Sequence, residues 1–388
     1  MNSATRQAER RLSLLVGAVV FLDTMFYAVI APLLPALAHD LHLSKLSAGV
    51  MTASYPVGML IGSVPGGVLA ARAGPRFTVC LGLALLACST VAFGFLHGAL
   101  LLDGARLVEG VGGACSWAGG LAWIVAETPA QRRGSLIGGA LGAAIGGALF
   151  GPAIGTAATA LGRGPTFSVV VLAALGLIAA ARGVESHHSG SNQGVAALIG
   201  ALRDGRVVWA MWLVALPAVG SGALSVLGPL RLHRFGAGAA AIGATFFVAA
   251  GIEAVISAAI GPLSDRRGRI LPLRLGLAVT SGLLLCFTLP GGAPLLAVVI
   301  VAIAAAFGMF WAPAMAMLSE AADSHGLDQG LAAALINLAW AGGQIVGSGA
   351  GGAVAKAAGD GLPLSVAAGA CAVSLALLAL RRDALLSH

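Results

Sequence analysis

The most constraining feature of this sequence is a series of uncharged, apolar runs that recur along its length, each long enough to cross a lipid bilayer. Six runs contain no Lys, Arg, Asp or Glu, and they cover 46–71, 77–96, 134–162, 207–230, 329–355 and 361–380. About 20 apolar residues form a helix as long as the hydrocarbon core of a membrane is thick. We therefore expect an all-α membrane protein, because helices satisfy their backbone hydrogen bonds internally.

A seventh uncharged run, 275–319, is twice the length that one helix needs, and the turn sequence Pro290-Gly-Gly-Ala-Pro294 in its middle indicates two helices. Adding the runs that a few charges interrupt gives twelve expected transmembrane helices, which we number as spans 1 to 12. The predicted spans are 12–37, 46–70, 77–96, 99–126, 134–160, 165–182, 206–230, 238–263, 271–289, 293–319, 328–355 and 361–380.

The composition excludes several classes of protein. Only 10% of the 388 residues are charged and the mean hydropathy is +0.95, whereas about a quarter of a soluble domain is charged. The net charge of +7 comes from arginines in short loops between spans, so we expect no nucleic-acid partner. The five cysteines lack CxxC or Cys/His spacing, and we expect no metal and no cofactor. The chain offers neither a catalytic constellation nor a sizeable soluble domain, which argues against an enzyme or a receptor.

The distribution of basic residues predicts the orientation in the membrane. If both termini are cytoplasmic, sixteen of the 22 lysines and arginines lie on the inner side, five lie on the outer side, and Arg106 lies within span 4. Cytoplasmic loops carry such an excess of basic residues. Abundant Ala and Gly, with few lysines, favour a bacterial source, and we expect a multi-pass protein of the cytoplasmic (inner) membrane.

Two patterns recur about half a chain length apart and indicate an internal duplication. The first is a loop after span 2, formed by Gly67, Arg72, Gly74 and Arg76. Its second copy begins 194 residues later, after span 8, and contains Gly261, Asp265, Arg266, Gly268 and Arg269. The second pattern lies in span 5, at Gly147, Gly151, Pro152 and Gly155, and recurs 196 residues later in span 11. We expect two pseudo-symmetric six-helix bundles, 1–184 and 206–388, joined by a cytoplasmic linker, 185–205.

In these motifs the chain resembles the major facilitator superfamily, and within it the twelve-span drug:proton antiporters. The loop after span 2 is similar to the family pattern G-x-L-a-D-R-x-G-R, but Ala71 stands in place of the Asp. Span 4 is similar to the pattern R-x-x-q-G at Arg106, with Glu109 in place of Gln. Span 5 resembles the antiporter signature G-x-x-x-G-P-x-x-G-G, with Thr156 at its last position. Glycines at this spacing also serve simple helix packing, and that alternative stays open.

Four ionisable residues are predicted to lie inside the membrane, at Asp23, Arg106, Glu109 and Glu253. Each costs about 2.5–3.5 kcal/mol to insert at the bilayer centre, so such residues are candidates for function. Asp23 has no obvious basic partner at its depth, and hydrocarbon favours its neutral form, which suits a group that binds and releases a proton. Arg106 and Glu109 could be a structural ion pair or part of proton transfer. Glu253 could take part in coupling or in the contact between the halves.

Spans 1, 4, 7 and 10 line the central cavity if the resemblance holds. The expected substrate contacts are Asp23, Tyr27, Ile30, Phe307, Phe310, Trp311, Asn337, Trp340 and Gln344. Aromatic rings around a buried carboxylate suit a lipophilic cation. Each aromatic residue could instead pack between helices or face lipid.

These patterns predict a secondary transporter that exports small hydrophobic or cationic compounds by alternating access, coupled to protons. Its expected partners are a small-molecule substrate, protons and membrane lipid, and we expect a monomer. The alternative is a proton-coupled symporter or exporter of a specific metabolite such as a sugar or an amino-acid derivative. The antiporter signature of span 5 argues against that alternative.

Overall fold

A computed structural model of the chain describes residues 3–184, 186, 195–327 and 329–380. Residues 185 and 187–194 of the predicted linker lie outside the described residues, as do the side chains of Asp265 and Arg266 in the predicted loop motif. In the described residues the fold is all-helical, as predicted. The helices are α1 (Ser3–Ala28), α2 (Ile30–Asp40), α3 (Lys45–Arg72), α4 (Pro75–Phe95), α5 (Ala99–Glu127), α6 (Ala130–Leu161), α7 (Arg163–Arg182), α8 (Val195–Ala201), α9 (Gly205–Arg234), α10 (Ala239–Arg267), α11 (Ile270–Cys286), α12 (Ala293–Ser324), α13 (Gln329–Ile345), a π-helix (Val346–Ala350), α14 (Gly351–Ala358) and α15 (Gly361–Leu380).

Every predicted span coincides with helix in the described residues. Nine described segments are long and apolar enough to cross a membrane, and the first of them joins α1 and α2 as Gln7–Asp40. The other three predicted spans, 4, 9 and 11, do not meet this criterion of length and apolar composition. Helix α5 carries three charged residues within its first eleven, α11 is short, and the span from α13 to α14 is interrupted.

Three details differ from the prediction. Span 1 is divided at Val29, because the ring of Pro32 collides with the carbonyl four residues earlier and Pro32 has no N–H to donate. Span 11 contains one π-helical turn, Val346–Ala350. The predicted linker, 185–205, contains helix α8, Val195–Ala201, whose composition is wholly apolar apart from a glycine.

The duplicated loop has the same backbone shape in both halves. Gly74, between α3 and α4, has φ 94° and ψ 153°, and Gly268, between α10 and α11, has φ 85° and ψ 152°. Residues with a Cβ atom rarely adopt a positive φ of this kind, which is why both copies keep a glycine here. Gly162 and Gly359, which also lie between helices, have similar angles, so the turn by itself does not identify the duplication.

The duplicated glycine motif has the same packing role in both halves. On α6, Gly147, Gly151 and Gly155 face the backbone of span 1, and a Cβ atom at Gly151 would lie 2.6 Å from the carbonyl oxygen of Met25. In span 11, Gly343 and Gly347 face the backbone of α9 in the same way. Each stripe of glycines therefore lets the fifth helix of a half approach the first helix closely.

Glycines also allow a close contact between the two halves, where α3 meets α14. A Cβ atom at Gly352 would lie 2.6 Å from the carbonyl oxygen of Lys45 and 3.1 Å from the Cα atom of Gly49. Helices α6 and α10 also touch, where the Thr156 hydroxyl donates a 3.4 Å hydrogen bond to the carbonyl of Ala239. All these contacts belong to the ends of the helices that are predicted to face outward.

An ionic cluster joins the halves at the same end. Asp360, between α14 and α15, is buried and accepts from Lys45 of the N-terminal half and from Arg234 of α9. Arg231 lies 3.6 Å away from the same carboxylate. The Lys45 ammonium also donates to the carbonyl of Ala355 at 3.4 Å, so one side chain of the N-terminal half connects two elements of the other half.

The glycines at the opposite end of the same helices have no such neighbours. Among the described residues, no atom lies within 4 Å of the position that a Cβ atom would take at Gly138 or Gly142 of α6, or at Gly261 of α10. The contacts between the halves named above thus lie at the end of Lys45 and Asp360.

We predict that Gly151→Val destabilises the protein by about 1–3 kcal/mol, because the added side chain forces α6 away from α1. Thermal unfolding in detergent measures this effect. Gly142→Val is the matched control, since it places the same β-branched residue on the open face of the same helix. Equal losses in the two variants would contradict the packing role of Gly151.

We predict that Asp360→Asn loosens the closed end. Burial of Asp360 raises its pKa, but the hydrogen bond and charge of Lys45 and the charge of Arg234 outweigh this effect and leave the pKa below its ordinary value. The carboxylate therefore stabilises the closed end above its ordinary pKa, and this contribution is lost as the pH falls through the lowered value. Hydrogen exchange at the start of α3 should accelerate in Asp360→Asn and at acid pH in the wild type. Lys356→Gln, an exposed charge on α14, should leave exchange unchanged.

Candidate functional site

A buried arginine organises the centre of the N-terminal half. Arg106, on α5, is 1% exposed and donates to the carbonyls of Phe26 and Tyr27 at 3.1 and 3.0 Å. Those carbonyls belong to the last turn of α1, where the backbone oxygens of a helix lack helical partners and carry partial negative charge. Arg106 also pairs with Glu109 at 3.1 Å, one turn along the same helix. The predicted pairing of these two residues is therefore present in the structure.

Asp23 lies next to this pair and is fully buried. The hydroxyl of Tyr55, on α3, is within hydrogen-bonding distance of both carboxylate oxygens, at 3.0 and 2.9 Å. The indole N–H of Trp117, on α5, donates to Oδ2 of Asp23 at 3.2 Å. Two neutral donors therefore replace the water that a carboxylate would otherwise bind, and they hold the group away from solvent.

A glycine makes this approach possible. A Cβ atom at Gly113 of α5 would lie 2.6 Å from both Oδ1 of Asp23 and the hydroxyl oxygen of Tyr55. Contact at that distance is sterically excluded. The absence of a side chain at this position is what lets the carboxylate reach the surface of α5.

The charges of this cluster do not balance. Asp23 and Glu109 are two carboxylates beside the single guanidinium of Arg106, which also lies over the ring of Tyr55 at 5.3 Å. An uncompensated charge in a low-dielectric interior is costly. The cluster is neutral in the state in which the two carboxylates together hold one proton.

The C-terminal half presents a second acidic group to the space between the halves. Glu253 lies at the middle of α10, is half-buried, and lies near the Trp311 side chain of α12. It is also close enough to Tyr27 to interact electrostatically across the interface. Trp340, on α13, contacts the Tyr27 ring edge-on at a centroid distance of 5.3 Å. Tyr27 of the N-terminal half is therefore close to both Glu253 and Trp340 of the C-terminal half.

The structure brings together four of the predicted site residues, namely Tyr27, Glu253, Trp311 and Trp340, and it encloses Asp23 beside them within the N-terminal half. Arg106 and Glu109 lie next to Asp23 in the N-terminal half. Their roles in coupling and in substrate binding remain predictions.

Other predicted substrate contacts lie elsewhere. Phe307 packs against Gly220 of α9, and Phe310 packs against Gly276 of α11, so both rings fill the interior of the C-terminal half. Ile30 belongs to the buried core at the start of α2.

Two polar residues of α13 have different surroundings. Gln344 is buried and donates to the Ser221 hydroxyl of α9 at 2.9 Å, which ties two helices of the same half together. Asn337 is partly exposed. Neither side chain is joined to the Asp23 cluster by a contact in the described residues.

Sequence reasoning missed Tyr55 and Trp117, although signals for both are present. The chain has only two tyrosines, and both lie within predicted spans. Trp117 follows Arg106, Glu109 and Gly113 at three- and four-residue steps, which places all four on one face of α5.

Nine apolar helices in the described residues are long enough to cross a membrane, and ionisable side chains are buried between them, which is typical of membrane transporters. The family model of the Major Facilitator Superfamily matches residues 16–328, and the chain therefore belongs to this superfamily of membrane transporters.

The curated relatives are similar over part of their length. Quinolone resistance protein NorA of Staphylococcus aureus (strain MRSA252) is 26% identical over 119 residues, which are 31% of this chain and 31% of that protein. Probable vesicular acetylcholine transporter-B of Danio rerio is 29% identical over 153 residues, which are 36% of this chain and 31% of that protein. The matched region thus spans about a third of each of these relatives.

Solved structures are similar over nearly the whole chain. A partially occluded, inward-open structure of the xylose transporter XylE from E. coli has a TM-score of 0.75 at 16% identity and covers 96% of this chain and 98% of that one. A crystal structure of a D-xylose-proton symporter has a TM-score of 0.74 at 18% identity, with 95% and 96% covered. At these identities the likeness shows the fold alone.

We predict that Gly113→Ala displaces Asp23 and lowers the stability of the protein by about 1–3 kcal/mol, since the new methyl group collides with Asp23 and Tyr55. Thermal unfolding in detergent measures the change. Gly104→Ala lies on the same helix with open space around it, and alanine favours helix there, so this control should be neutral or stabilising. A neutral Gly113→Ala would contradict the close approach of Asp23 to α5.

Proposed function

We propose that this chain is a proton-coupled exporter of small, hydrophobic, cationic compounds that works by alternating access in the cytoplasmic membrane, with both termini in the cytoplasm. The observation that carries the proposal is the unbalanced ionic cluster of Asp23, Arg106 and Glu109. One guanidinium beside two carboxylates favours the uptake of one proton, and Asp23 is the member that touches no cation directly.

The arrangement of the halves supports alternating access. The contacts named above, including the pair of Lys45 and Asp360, lie at one end of the helices, and in the predicted orientation the other end faces the cytoplasm. A substrate would enter from the cytoplasmic end and leave after the halves rock and the contacts of Lys45 and Asp360 break.

The named relatives support efflux of drugs or amines over uptake of metabolites. One relative is named for quinolone resistance and another for vesicular acetylcholine transport. The likeness to xylose transporters is one of fold and fits a metabolite symporter equally well. The direction of proton-driven flux therefore separates the two functions.

The test uses inverted membrane vesicles with an imposed pH gradient, acid inside, and ethidium as a fluorescent lipophilic cation. We expect wild-type vesicles to accumulate ethidium, and Asp23→Asn vesicles to accumulate no more than vesicles that lack the protein. An amide at this position cannot bind and release a proton, so coupling is lost.

Asp40→Asn is the matched control, because it makes the same chemical change at an exposed carboxylate at the end of α2. It should preserve accumulation. Gradient-driven ethidium flux that survives Asp23→Asn would overturn Asp23 as the coupling residue. Proton-driven movement of a metabolite out of the vesicles, without ethidium accumulation, would favour the symporter.

A further inference from the structure

Asp23 and Glu253 occupy very different surroundings although both lie at mid-span. Asp23 has no exposed surface and is enclosed by Tyr55, Trp117 and Gly113, all of the N-terminal half. A substrate cannot touch its carboxylate unless these groups move. Glu253 is half-buried and faces the space between the halves.

The two carboxylates also differ in their electrostatic partners. Asp23 already feels the positive charge of Arg106. Within the described part of the chain, the groups that interact with Glu253 are the neutral side chains of Trp311 and Tyr27, and no basic side chain forms an ion pair with it. An ionised Glu253 is therefore compensated only by a cation that comes from outside the protein.

Aromatic rings surround the space in front of Glu253. Trp311 lies on its own side, and Tyr27 and Trp340 meet edge-on across from it, all three partly exposed. Ring faces attract organic cations, and a carboxylate adds full charge to that attraction. The combination is suited to a bulky cation with an apolar surface and little hydration.

From this geometry, and given the proposed export function, we infer a division of roles between the two acids: Glu253, with Trp311, Tyr27 and Trp340, is the binding site for the charge of a lipophilic organic cation, and the enclosed Asp23 carries the proton.

The test measures equilibrium binding to the purified full-length protein in detergent, with no pH gradient and at one fixed pH. The probes are tetraphenylphosphonium and tetraphenylborate, which have similar shapes and opposite charges. We expect the wild type to prefer the cation. Glu253→Gln should weaken tetraphenylphosphonium binding by at least about 10-fold and abolish the preference, because a desolvated charge pair is lost. Asp23→Asn should change the affinity for the cation by less than about 3-fold, since its carboxylate does not reach the space.

Two further variants and one control keep the result interpretable. Glu253→Asp retains the charge and should restore the preference for the cation in part. Trp311→Phe removes the indole N–H but keeps an aromatic ring, and it should weaken binding less than Glu253→Gln does. Glu320→Gln alters an exposed acid that pairs with Arg269 and should bind like the wild type. If Glu253→Gln does not fold, the comparison of Glu253→Asp and Trp311→Phe with Glu320→Gln decides the point.

Unchanged tetraphenylphosphonium binding in Glu253→Gln overturns the inference, and so does an equal loss in Asp23→Asn. The export function fails in a different way: the wild type would bind the cation but would not move any compound under an imposed gradient. The two ideas can therefore be rejected separately.

Discussion

The guanidinium of Arg106 donates to two backbone carbonyls at the end of α1, and the site of the N-terminal half is arranged around that contact. In hydrocarbon, carbonyls at a helix end have no water to bind, so a break in a spanning helix needs a partner from another helix. Arg106 is that partner, and Glu109 on the same helix partly offsets its charge. Because Arg106 is held in this position, its positive charge acts on Asp23. The hydrogen bonds of the Asp23 carboxylate come from Tyr55 and Trp117.

Sequence alone could predict the all-helical class and its apolar helices, because both depend on a local property, the length of an apolar run. The count of twelve spans, the duplication and the roles of the ionisable residues stay predictions. The sequence could not predict which helix each face would meet. Tyr55 is 32 residues from Asp23 and Trp117 is 94 residues away, and a three-to-four spacing identifies a helix face but not its neighbour. Phe307 and Phe310 illustrate the same limit, since the rings turn towards α9 and α11 within their own half.

Glycines allow close helix contacts both within the halves and between them, but the residues around the two kinds of contact differ. Inside the N-terminal half, Gly147, Gly151 and Gly155 let α6 follow the backbone of α1, and a salt bridge between Arg132 and Glu9 joins the same two helices near their other ends. Between the halves, the contact of Gly49 with Gly352 occupies one end only and is fastened by Lys45, Arg234 and Asp360. Side chains of this cluster reach solvent, Arg234 being 54% exposed, and water and salt weaken such pairs. A contact of this kind can break and re-form, whereas the buried stripes keep each half rigid.

A transporter that exchanges a proton for a cation needs its two sites to influence each other, and Tyr27 is the residue through which they can do so. Its backbone carbonyl accepts from Arg106, so its position is bound to the ionic cluster that contains Asp23. Its ring meets Trp340, and Glu253 acts on its hydroxyl across the opening between the halves. In the proposed exchange of a proton for a cation, a change of charge in the enclosed cluster would alter the hydrogen bonds of Arg106 to the end of α1 and, through Tyr27, the surroundings of Glu253. In the same proposal, movement of the C-terminal half would shift Trp340, which contacts the Tyr27 ring. Coupling in this arrangement requires no direct contact between proton and substrate, since both act on the same short segment of span 1.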